Sequence, residues 1–78
     1  MANEASKEPR VVPVREVPIE LCQFLKFGGL AATGGEAKSV INAGQVTLNG
    51  VVETQKRKKL QAGDRVSYGG QTIIVRVA

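Results

Sequence analysis

The stretch from Thr33 to Gly50, TGGEAKSVINAGQVTLNG, specifies a helix, a stop, a strand and a tight turn within eighteen residues. Thr33 followed by Glu36 is a capping box, in which each side chain satisfies a backbone N–H left free at the helix start. Ala37, Val40, Ile41 and Gly44 fall on one helical face, and Lys38, Ser39 and Asn42 on the other, so the predicted helix has a dry side and a basic, polar side. Gly44 supplies the left-handed residue that ends it. Val46-Thr47-Leu48 then alternates up to Asn49-Gly50, a strong hairpin signal.

The flanking segments extend this pattern. Pro18 suits the first position of a helix, where its missing N–H is harmless, and Glu20 would sit in the first turn, so a helix is predicted over 18–27. Leu21, Phe24 and Leu25 form its apolar stripe. Gly28-Gly29 ends it, and Leu30 folds back as the accompanying contact. Ile19 and Phe27 lie off the stripe and are expected to pack against the N-terminal segment. There, Arg10 to Val17 reads as a short strand that Pro13 confines to a sheet edge, and residues 1–9 read as a mobile tail. Beyond the turn, 51–54 reads as a return strand, Gln55 to Lys59 as a basic loop or edge anchored by Leu60, and Ala62 to Asp64 as a turn. Strands over 65–68 and 71–77 meet at Gly69-Gly70. Helix, helix, then strands gives an α+β domain over 10–78: two short helices followed by a small antiparallel sheet.

Several function classes are excluded or disfavoured. A chain of 78 residues has room for one small domain and none for a separate catalytic one. No histidine is present, and the single Cys22 has neither a histidine to activate it nor a second cysteine to pair with. Glu20, Glu36, Glu53 and Asp64 each have a structural explanation, so the chain reads as a non-enzyme that needs no metal, cofactor or small-molecule substrate. No apolar run approaches the ~20 residues that cross a bilayer. A lone cysteine and an N-terminus without an apolar core fit a cytoplasmic protein, expected to be a monomer.

Taken in order, IELCQFLK, TGGEAK, INAGQVTLNG and KKLQAGDRV resemble the S-four RNA-binding domain, also called the alpha-L motif, and its small stand-alone bacterial members, the YbcJ-like proteins. The resemblance covers roughly residues 17–75. Where many members carry an arginine just inside the second helix, this chain has Gly34 and Gly35, as the stand-alone branch does. The resemblance implies an RNA-facing surface on the second helix, on the strand and turn after it, and on the basic loop. Thr33, Gly34, Gly35, Lys38 and Asn42 belong to the first part, Gln45 and Asn49 to the second. Lys56, Arg57, Lys58 and Lys59 form the third.

The residues themselves point the same way. The net charge is +4, compatible with a polyanionic partner, and the four consecutive cations at 56–59 repel one another unless something answers them. A solubilising loop is the plainer reading; phosphate binding accounts for the density better. Arg57 can fork onto phosphate or stack on a base, and Lys38 lies within reach of a backbone docked at the helix start. Gly34 and Gly35 either let a phosphate approach the helix N-terminus or simply fit a tight entry. Nothing resembles a Walker motif or a major-groove recognition helix, so structured RNA, ribosomal or transfer RNA by family analogy, is the expected partner. The alternative is a protein-interaction module acting on a ribosome-associated partner.

Overall fold

Two helix ends and two glycine-containing hairpins set the course of the chain. The computed structural model describes residues 9–78. Of the tail expected over 1–9, only Pro9 lies within them. The elements are β1 (Arg10–Val14), β2 (Ile19–Glu20), α1 (Leu21–Phe27), α2 (Gly34–Asn42), β3 (Thr47–Leu48), β4 (Val51–Val52), β5 (Lys59–Leu60), β6 (Arg65–Tyr68) and β7 (Gln71–Val77). Both helices close with the same device. In α1, Gly29 (φ 79°) donates to the Lys26 carbonyl and Leu30 to the Leu25 carbonyl; in α2, Gly44 (φ 76°) donates to Ile41 and Gln45 to Val40. Each left-handed glycine thereby satisfies carbonyls that the helix end leaves free.

The main sheet runs β1-β7-β6-β3-β4. Its pairs are antiparallel except at one edge, where β1 lies parallel to β7 with Val12 beside Val75. The edge placement suits Pro13, which lacks the N–H that an inner strand would require. Positive φ at Asn49 and Gly50, and at Gly69 and Gly70, gives both hairpins the twist of two-residue turns. Val12, Val14, Val66, Ile73 and Val75 are buried together with Leu21, Phe24 and Leu25 of α1 and Ala37, Val40 and Ile41 of α2, so the helices cover one sheet face. Tyr68 is half-buried and packs on this core. At Gly28 the backbone comes so close to β7 that a β-carbon would lie 2.6 Å from Ile73 Cδ1, and the Arg10 guanidinium reaches the Gly28 carbonyl at 2.7 Å.

Three expectations are corrected. Helix α1 begins at Leu21, not Pro18, because Ile19 and Glu20 are extended and pair antiparallel with Leu60 and Lys59. The strand expected over 51–54 keeps ladder pairing only at Val51 and Val52, although the Glu53 N–H still donates to the Val46 carbonyl. Phe27 is 62% exposed, since it is Gly28 and not Phe27 that meets the sheet at the end of α1, whereas Ile19 is half-buried against the core.

Gly29 and Gly34 separate conformational from steric requirements. No atom lies within 4 Å of a β-carbon at either, but only Gly29 is left-handed. Gly29→Ala should destabilise by about 1–2 kcal/mol, and Gly34→Ala should be neutral or stabilising by up to ~1 kcal/mol. Urea denaturation of the two variants checks the contrast.

Candidate nucleic-acid interface

The start of α2 is built by its cap. Thr33 is extended, and its Oγ1 accepts the Glu36 N–H at 3.0 Å. Glu36 Oε1 turns back to accept the Ala32 N–H at 2.7 Å, one residue further out than the reciprocal partner of a standard capping box. This leaves the N–H groups of Gly34 and Gly35 in the first turn without an intrahelical partner. Along the outer face, Gly35, Lys38, Ser39 and Asn42 follow at helical spacing, all exposed.

The facing wall is the basic loop, and its backbone is tied to α1. The Leu21 N–H donates to the Lys58 carbonyl at 2.9 Å and the Cys22 N–H to the Lys56 carbonyl at 3.1 Å. Glu20 offers no side-chain cap, so these two loop carbonyls stand in for one, at the end where the helix dipole is positive. Within the loop, the Lys58 N–H closes a turn onto the Gln55 carbonyl at 3.1 Å, and Glu53 Oε2 accepts the Gln55 N–H at 3.1 Å. Leu60, fully buried, anchors the loop's far end.

Between the two walls runs a groove of about 730 Å³, lined by Gly35, Lys38, Ser39 and Asn42 from α2 and by Thr54, Gln55, Lys56 and Arg57 from the loop. Lys38 and Arg57 also line a second recess of about 260 Å³, shared with Gly34 and with Glu20, Cys22, Gln23 and Lys26 at the α1 side. Lys26, Lys38, Lys56 and Arg57 therefore border one furrow, whose single carboxylate, Glu20, lies 3.6 Å from Lys59 Nζ. With Lys59 exposed and Glu20 half-buried, a pair of this kind contributes little stability. Its effect here is to offset the one negative charge beside the furrow.

Of the residues expected at an RNA surface, the structure gathers Gly34, Gly35, Lys38, Asn42, Lys56 and Arg57. The rest lie elsewhere or have other partners. Thr33 is the cap, and Gln45 is exposed past the end of α2. Asn49 accepts the Arg65 N–H at 3.0 Å through Oδ1 and donates from Nδ2 to Asp64 at 3.3 Å, which ties the β3–β4 turn to the start of β6. Lys58 is exposed, with its carbonyl on α1, and Lys59 faces Glu20. Sequence reasoning missed Ser39, Thr54, Gln55, Gln23 and Lys26. Helical spacing pointed to Ser39, but no local signal reveals that the start of α1 and the loop share a wall. Among the described residues, no three His, Cys, Asp or Glu side chains come together to hold a metal, and no helix is long and apolar enough to cross a membrane.

Known proteins are similar to this chain in sequence and fold. The S4 domain family model matches residues 12–76. YbcJ of Escherichia coli is 46% identical over 57 residues, 73% of this chain and 81% of that protein, and YbcJ of Shigella flexneri is similar to the same extent. The solution structure of E. coli YbcJ, which reveals an alpha-L motif involved in RNA-binding, matches with a TM-score of 0.65 at 42% identity, over 87% of this chain and 86% of that one.

The dual role of Asn49 is testable. Asn49→Gly keeps its left-handed backbone and loses the two side-chain bonds, whereas Asn49→Ala loses the bonds and strains the turn. The glycine variant should cost about 1 kcal/mol and the alanine variant about 2–3 kcal/mol in urea unfolding.

Proposed function

Because this chain belongs to the S4 domain family, whose model spans residues 12–76, we propose that it is a non-enzymatic RNA-binding protein that docks the furrow between α2 and the basic loop on structured RNA. The observation that carries the reading is the convergence of Lys38, Lys56 and Arg57 on one groove from two separate elements. Cations scattered for solubility have no reason to face one another across a concave surface, since their mutual repulsion is relieved only by an anion between them.

The groove's residues divide the work. Lys38 and Lys56 act as mobile point charges, while Arg57 can grip a phosphate through two parallel hydrogen bonds. The first-turn N–H groups of Gly34 and Gly35 add donors where the helix dipole favours an anion, and Glu36 is turned away onto Ala32. Ser39, Asn42 and Gln55 offer neutral partners for 2′-hydroxyls, which lets the groove favour RNA over DNA. None of these groups forms a rigid array for reading base edges, so recognition rests on the spacing of phosphates in a folded RNA. Ribosomal or transfer RNA is the proposed class by family analogy.

Salt dependence tests the proposal. With about four phosphates contacted, the logarithm of affinity for an RNA duplex should fall against the logarithm of salt with a slope of roughly −3 to −4. Arg57→Ala should weaken binding about tenfold and lower that slope by about one. Lys59→Ala, which removes a charge already facing Glu20, should do less. A slope near zero, or a cellular complex that survives complete nuclease digestion, would instead favour a protein partner.

A further inference from the structure

The furrow does not stop at Lys26. Gln23 and Lys26, which line its α1 end, also line an adjoining hollow of about 590 Å³ with Ile19 and Phe27. Phe27 is the large aromatic that the core leaves out: it is 62% exposed, whereas Phe24, one turn earlier, is fully buried. A single exposed apolar side chain on a small protein needs no explanation. Three features set this one apart. It lies where a basic channel ends, so a strand following that channel arrives at the ring. Gln23 precedes it by one helical turn on the same face, presenting an amide beside the ring, and Lys26 adjoins it with a charge. Ile19, half-buried against the core, lines the same hollow and supplies it with a supported apolar wall.

We infer that Phe27 is a stacking platform for one unpaired base of the bound RNA, adjacent to the phosphates held by the furrow. The inference rests on the RNA-binding reading and adds a ligand feature to it: a single-stranded nucleotide flanking a structured segment. Stacking on a phenyl ring tolerates any base, since every base has a π-face, and Lys26 would hold the phosphate next to it. Purines, with the larger face, bind better than pyrimidines. The stack itself adds no counterion release, and Lys26 is retained when the ring is removed, so loss of the ring changes affinity without changing the salt slope.

The test compares a blunt RNA duplex with the same duplex carrying a short single-stranded adenosine tail, using the wild type, Phe27→Ala and Phe27→Trp. The exposure of Phe27 makes both variants compatible with the fold, which thermal melting verifies. The wild type should prefer the tailed RNA, and Phe27→Ala should lose about tenfold on the tailed RNA alone, with an unchanged salt slope. The chain has no tryptophan, so Phe27→Trp introduces a single tryptophan, excited selectively over Tyr68, that should be quenched by the tailed RNA, not by the blunt one, while retaining the preference. Equal losses on both RNAs, or no loss with unquenched tryptophan, would overturn the platform. Salt-dependent wild-type binding to the blunt duplex keeps the RNA reading intact in either case. If the wild type binds neither RNA, that reading falls and the platform with it.

Discussion

The two hydrogen bonds from the start of α1 to the carbonyls of Lys58 and Lys56 are the contacts on which the rest of the surface depends. A helix start without a side-chain cap needs acceptors, and a loop of consecutive cations needs a backbone anchor that does not consume its charges. One arrangement meets both needs. The carbonyls turn in toward the helix, and the side chains of Lys56 and Arg57 turn out toward α2. The short β2–β5 ladder, with Leu60 sunk in the core beside it, holds the register of this junction.

This junction also explains which parts of the molecule were legible in the sequence. Local chemistry announced α2 from its capping box to Gly44, both hairpins from their turn residues, and the end of α1 from its glycine pair. Each of these depends on residues a few positions apart. The start of α1 depends on residues nearly forty positions away, and Pro18 in isolation favours a helix that the pairing of Ile19 with Leu60 overrides. The parallel edge strand was likewise visible as a valine-rich segment, but its direction is set by β7 at the opposite end of the chain.

The candidate site divides along the same line. Lys38 and Asn42 could be placed on a polar helical face, and the run at 56–59 stood out by charge alone. Sequence cannot sort that run, because only the fold shows that Lys56 and Arg57 face α2 while Lys59 faces Glu20. Asn49 illustrates the opposite difficulty: an exposed polar residue at a turn reads as available for a ligand, yet both ends of its amide are occupied, by the Arg65 N–H at the start of β6 and by Asp64 just before it. Gln23 and Lys26 carried no signal of their own and acquire meaning only from the furrow they extend.

If α2 and the basic loop form one RNA-facing surface, RNA must perturb both together and spare the far side of the sheet. The most direct test is an amide chemical-shift titration of the isotope-labelled protein with a structured RNA. The largest changes should cluster at 34–42 and 54–58, with the outer residues of β6 and β7 nearly unmoved. Changes centred on the β6–β7 hairpin, or spread evenly over every exposed amide, would contradict it.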